Sequence, residues 1–174
     1  YFEDQKSDMR YRFLNSCSIE EYQKKLERGW RRFGKIYFVP ECKSCTKCVS
    51  MRIDVKNFQF SKSQKRVLNK NKDTKVFIRP PTVTKEHMDL YHKYHTIMQD
   101  KKDWKYVHID HEDYIKSYVE GNTKYATEFL YLRDDELIGV ALVDILPNAI
   151  SSIYCFYDHD FEEFSIGKFS ILTQ

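Results

Sequence analysis

The sequence predicts an α+β protein in two unequal parts, a small basic module over residues 1–75 and a larger sheet-and-helix unit over residues 76–174. Helical and strand periodicities alternate along the chain without any internal repeat. Apolar residues make up 41% of the 174, with only 5 Gly and 4 Pro, so both parts can bury a core and neither reads as a linker. Charge divides between them: residues 1–75 carry 19 Lys+Arg against 9 Asp+Glu, and residues 76–174 carry 10 against 17. Salt screening makes such fields local, so a surplus of ten beside a deficit of seven behaves as two surfaces. The basic surface suits a phosphate backbone, and a merely Lys-rich solvated face is the competing reading.

The first element is an amphipathic helix over 19–30. Ser18 stands as N-cap with Glu21 three residues on, Gly29 closes the C-terminal end, and Ile19, Tyr22, Leu26 and Trp30 share one face. A short strand from Lys35 to Val39 ends at Pro40, and the alternation of Met51, Ile53 and Val55 predicts a second strand near 49–55. A very basic helix over 62–72 opens at Ser61. Val76–Arg79 reads as a strand stopped by Pro80-Pro81, the hinge into the second part. Thr84 caps a helix to about Gln99, and another runs from about His111 to Glu120. Three strands follow at 126–132, 137–145 and 149–157, joined by Asp134-Asp135 and Leu146-Pro147-Asn148, and a last helix begins at Asp158 or Asp160.

Several groups along these elements can carry chemistry. Cys42, Cys45 and Cys48 form two overlapping CxxC steps, a spacing that lets thiolates converge on zinc or an iron–sulfur cluster. A fourth ligand is missing from the pattern, with Cys17 or a residue before Tyr1 as candidates, and a reduced thiol cluster beside Lys43 and Lys47 is the alternative. Five cysteines are an odd, crowded set that suits a reducing, cytoplasmic setting better than a disulfide framework. No apolar run approaches the roughly 20 residues of a membrane span. The helix at 62–72 places Lys62, Lys65 and Arg66 on one side, with Ser63, Gln64 and the backbone N–H groups of its first turn nearby, a ready anion site. Asp144 is a carboxylate in an otherwise apolar strand, costly there unless something binds it. The neighbouring strand alternates small polar and aromatic residues, so Ser152, Tyr154 and Tyr157 can line a cleft with hydroxyls and flat faces. The six scattered histidines complete no metal set and take no role, and no GxSxG, P-loop, GxGxxG or HExxH is present.

Taken in order, these blocks resemble the aminoacyl-tRNA–protein transferases of the N-degron pathway. The resemblance is carried by Leu26 through Gly34, Tyr37 through Pro40, Cys42-x-x-Cys45-x-x-Cys48, Ser61 through Leu68 with Asn71, Asp144 through Pro147, Ser151 through Tyr154 and Phe156 through Asp158. The CxxCxxC and Ser-Lys-Ser-Gln forms look like the bacterial branch that transfers leucine to N-terminal Asp or Glu. Arginyl transfer by the same mechanism is the alternative within the family. The family pattern also carries a cysteine just before the segment matching Tyr1-Phe2-Glu3-Asp4 and further chain beyond Gln174, so the second unit is expected to be incomplete at its C-terminus.

The resemblance implies an acetyltransferase-like (GNAT/Fem-like) mixed-sheet domain at 76–174. It implies aminoacyl-tRNA and a protein with an acidic N-terminal residue as partners, with neither membrane nor DNA among them. Aminolysis of an ester runs downhill, and an α-amine with a pKa of about 7.7–8.0 is partly neutral near pH 7, so positioning can replace a strong base. No cofactor is then required for the chemistry, and zinc or an iron–sulfur cluster would be structural or regulatory. Asp144 is expected to anchor the amine, Tyr154 and Ser152 to bond the ester or terminal ribose, and Arg66, Lys65 or Arg79 to meet the acceptor's carboxylate. Two rivals remain: a non-catalytic zinc-containing RNA-binding module, and an acetyl-CoA enzyme, for which Phe164–Lys168 is too poor in glycine.

Overall fold

The computed structural model describes residues 7–121 and 124–174, so the Tyr1–Asp4 segment of the family pattern lies outside the described residues. Two antiparallel sheets organise the fold. In the smaller, β1 (Met9–Phe13) and β2 (Arg31–Phe33) flank β3 (Ile36–Pro40), and α1 (Ile19–Glu27) lies between β1 and β2 in the chain. Ser18 and Glu21 form the expected capping box on α1. The helix stops at Glu27, and Gly29 turns with φ +84°, which redirects Trp30 into the core instead of continuing the helical face. Leu146 joins the buried Cys17, Tyr22, Trp30, Tyr37 and Tyr125, so this core is closed by residues from both parts of the chain.

The larger sheet runs β4-β5-β6-β7, formed by β4 (Lys75–Arg79), β5 (Ala126–Arg133), β6 (Glu136–Leu146) and β7 (Ala149–Tyr157). Helices packed on antiparallel sheets bear out the α+β class expected, and every pairing among the described strands is antiparallel. Asp134 and Asp135 both adopt positive φ in the β5–β6 turn, the left-handed conformation that a two-residue hairpin demands. On one face α3 (Lys85–Lys102), α4 (His111–Tyr114) and a π-helical turn at Ile115–Val119 cover Leu130, Val140 and Phe156. On the other, α2 (Lys62–Lys70) and α5 (Ile166–Thr173) cover Phe129, Tyr131, Ile138 and Val143. The last helix is broken: a 3₁₀ stretch, His159–Phe164, stops at Ser165 with φ +51° before α5 begins. No helix among the described residues is long and apolar enough to cross a membrane.

The strand expected at 49–55 is absent. Val49, Met51, Ile53 and Val55 are all exposed, and the Asp54 carboxylate accepts from the Lys56 N–H and from Asn57, a side-chain turn that ends the extension.

Candidate functional site at the seam between the sheets

Strand alternation in β2 sends two neighbouring side chains in opposite directions, and each joins the small sheet to the large one. Arg32 is buried and grips Asp144 of β6 with two nitrogens: Nε donates to Oδ2 at 2.8 Å and Nη2 donates to Oδ1. The Tyr22 hydroxyl of α1 donates to the same Oδ2 at 2.6 Å. Arg32 Nη1 also donates to the Gly34 carbonyl at 3.0 Å. Burial opposes the charge on Arg32, yet its hydrogen bonds to Asp144 and the carboxylate's charge outweigh burial and hold the guanidinium pKa above its ordinary value. Burial, and then the adjacent Asp144, push the Tyr22 phenol up, so it stays a donor.

Asp144, expected to anchor a substrate amine, is held here by protein groups. Its exposure is 0% and both oxygens are already engaged by Arg32 and Tyr22, so it has no free face for a substrate amine. Asp144 is instead the pivot on which the two sheets are fixed. Gly34 completes the seam. At φ +51° its backbone lies so close to the π-helical turn that a Cβ would overlap the Lys116 carbonyl oxygen. A narrow cleft opens just above, lined by Arg32, Gly34, Pro81, Tyr118, Thr127 and Ile153.

Phe33, the next residue of β2, lies edge-on to Tyr118 and Tyr154, with ring centroids 6.0 and 6.4 Å away. Tyr154 stacks on Tyr118 at 5.5 Å, and its hydroxyl is 2.6 Å from His95 Nε2. The other ring nitrogen, Nδ1, lies 2.7 Å from the Tyr91 carbonyl, which can only accept. Nδ1 therefore carries the hydrogen in the neutral ring, and Nε2 offers its lone pair to the Tyr154 O–H. Burial lowers the His95 pKa below its usual 6.5 despite that carbonyl, and burial raises Tyr154, so the pair is a neutral imidazole beside an intact phenol. No role was expected for the other histidines or for His95. Its one legible signal is the i, i+4 spacing from Tyr91 on a buried helix face.

The other expected site residues scatter. Ser152 is exposed and donates to Gln174 Oε1 at 2.6 Å, whereas Tyr154 reaches α3, because an irregular register between Leu142 and Val143 separates the two hydroxyls. Tyr157 packs on Tyr94 and over Gly167, where a Cβ would meet its ring at 3.0 Å. Arg79 does not offer a spare cation: its Nε donates to the buried Glu128 at 2.7 Å and its Nη2 to Thr82. On α2, Gln64 Oε1 accepts from Ser61 N–H at 2.8 Å and Ser61 Oγ accepts from Gln64 N–H, so Gln64 builds the helix start. Ser63 hydrogen-bonds Ser61 at 3.0 Å. Lys62, Lys65 and Arg66 remain exposed, with no ion pair among the described residues, on the sheet face opposite His95.

The cysteines do not fit a metal as placed. No three of His, Cys, Asp and Glu converge on an ion site among the described residues. Cys42 Sγ sits between the Asp8 N–H and carbonyl at 3.4 and 3.8 Å, Cys45 and Cys48 are exposed, and Cys17 is buried in the small core.

The seam thus combines a rigid joint, a water-sized cleft and, beside it, a phenol hydrogen-bonded to a neutral imidazole that can carry a proton. Residues 1–66 match the family described as arginine-tRNA-protein transferase, N terminus, and residues 86–174 match its C terminus. A protein of Campylobacter jejuni named aspartate/glutamate leucyltransferase is 45% identical over all 174 residues, which cover 73% of its own length. A protein of Helicobacter hepaticus with the same name is 41% identical over the same span, 72% of its length. One from Pseudomonas aeruginosa is 32% identical over 148 residues, 85% of this chain and 62% of that protein.

Proposed function

The chain belongs to the arginine-tRNA–protein transferase family, and we infer that it moves leucine from Leu-tRNA onto the N-terminal amine of proteins that begin with Asp or Glu. It is an aminoacyltransferase, with an aminoacyl-tRNA and a protein as its two substrates. The observation that carries the leucyl reading is identity of 41–45% along the entire chain to proteins named for that reaction. A cytoplasmic setting, where charged tRNA is made, goes with this reading, as does entry of the product into N-degron degradation.

In the reaction the acceptor's amine nitrogen attacks the ester carbonyl. The C–N bond forms, the bond from carbonyl carbon to ribose oxygen breaks, and the proton lost by nitrogen ends on that oxygen. Tyr154 already gives its own hydrogen to His95, so its oxygen lone pairs can take the amine's N–H while His95 receives the phenolic proton. The proton then returns through the same pair to the leaving ribose. Arg32 and Asp144 act by holding Gly34 and Tyr118 in place around the cleft. Lys62, Lys65 and Arg66 are assigned to the RNA, with residues 1–75 as the part that holds it and 76–174 as the part that transfers. No step uses a metal.

Labelled Leu-tRNA and Arg-tRNA, each offered with peptides beginning Asp, Glu or Ala, test this reading. Leucine is expected on the Asp and Glu peptides and not on the Ala peptide. Arginine in its place would overturn the donor, and no transfer from either donor would overturn the activity.

A further inference from the structure

Away from the seam, α1 and β1 enclose a groove that nothing in the transfer chemistry uses. One wall is α1 and its C-cap, with Lys24 on the helix, Arg28 four residues on at the cap, and Lys25 beside them. The other is β1, where Arg10 and Arg12 share one face of the strand at i, i+2. Trp30 forms the floor at 8% exposure, with Arg12 and Lys25 over its ring at 5.7 and 5.3 Å. The single acid in the lining, Glu21, has its carboxylate turned to the Ser18 N–H in the capping box. Arg10 is paired with Glu41, but among the described residues no ion pair involves Arg12, Lys24, Lys25 or Arg28.

We propose that this groove is a phosphodiester track, a second RNA-binding surface separate from the basic end of α2. Two facing rows of cations repeat along its length, which matches a ligand whose charges also repeat. A lone carboxylate or free phosphate would use one or two of them. The indole floor is too covered to stack a base, so the contact reads backbone and carries no sequence preference. The aromatic ring keeps Arg12 and Lys25 upright at low entropic cost, because cation–π contact limits their rotamers before RNA arrives. An acidic protein surface is the competing occupant, and the regular spacing of the cations favours the polymer. This inference rests on the tRNA-dependent reading above, and its test separates the two.

The variant K24Q/R28Q alters two exposed residues and leaves Arg12 and Lys25 over the Trp30 ring. Binding of uncharged tRNA by the whole chain is measured across a salt series, beside leucyl transfer at varied tRNA and varied peptide. Loss of two phosphate contacts is expected to weaken tRNA binding about 25-fold near 0.15 M salt and to lower the slope of log affinity against log salt by about 1.4–1.8. KM for tRNA should rise while kcat and the peptide KM stay as in wild type. Unchanged affinity and slope in a folded K24Q/R28Q would overturn the track, as would a rise confined to the peptide KM, which would assign the groove to protein. If the wild type transfers nothing, the function reading fails while the binding series still judges the groove.

Discussion

Replacing Asp144 with Asn probes the joint between the sheets and separates holding from substrate contact. The substitution keeps the shape but removes the charge that balances Arg32, whose guanidinium is 3% exposed and has Asp144 as its only ion-pair partner among the described residues. Stranding one member of a buried pair costs about 3–5 kcal/mol. The Tyr22 hydroxyl, which donates to Oδ2 at 2.6 Å, loses a charge-assisted bond within that same loss. For a chain of this length each kcal/mol moves the melting midpoint by about 2–4 °C, so D144N should melt roughly 6–20 °C lower. Urea unfolding followed by circular dichroism gives the free energy, and the double variant R32M/D144L is expected to recover most of it because no charge is left buried. Below the melting range, the acceptor-peptide KM of D144N should stay near wild type. A variant within 1 kcal/mol of wild type, with a sharply raised peptide KM, would refute the reasoning and return Asp144 to the amine.

Three further outcomes follow from geometry already described. Tyr154→Phe and His95→Gln should each lower kcat by about 10²-fold with little change in either KM, the ordinary scale for losing one positioned proton carrier; equal rates in a steady-state assay would remove the pair from the reaction. Because burial holds His95 below 6.5, wild-type kcat should be flat from pH 7 downward until that lower pKa is passed and only then fall, and H95Q should lose this step. Glu128 is buried, which favours its neutral form, but His87, Arg79 and the Thr82 N–H outweigh burial and lower its pKa. Its stabilising effect is therefore complete above the unfolded-state value of about 4.3 and disappears as pH falls through the lowered folded value, so the acid arm of a stability-versus-pH curve should be shallower in E128Q.

Element types were legible wherever local signals agreed. Ser18 with Glu21, Thr84 with the helix after it, and the paired aspartates at 134–135 each specify their structure within four residues. The strand at 49–55 misled because alternation reports a half-buried face only if a partner strand supplies the burial, and none pairs there. β1 passed unnoticed although Met9, Tyr11 and Phe13 alternate with Arg10 and Arg12, and here the alternation marks no buried face, since Tyr11 and Phe13 are 63% and 66% exposed. Asp144 could be singled out because a carboxylate among valines and leucines requires a partner. That an arginine 112 residues earlier supplies one is a matter of tertiary contact that no local pattern encodes. His95 stayed hidden because its two hydrogen bonds are to a main-chain carbonyl four residues back and to a strand 59 residues on.

The 112-residue separation of Arg32 and Asp144 also sets a timetable for synthesis. At about 5–20 residues per second, roughly 6–22 s pass between translation of the arginine and translation of its counter-charge. During that interval Tyr22, Trp30 and Tyr37 wait for Tyr125 and Leu146 to close their core, while the small sheet holds an unbalanced guanidinium. The N-terminal part therefore cannot close its core or balance Arg32 until β6 has been made.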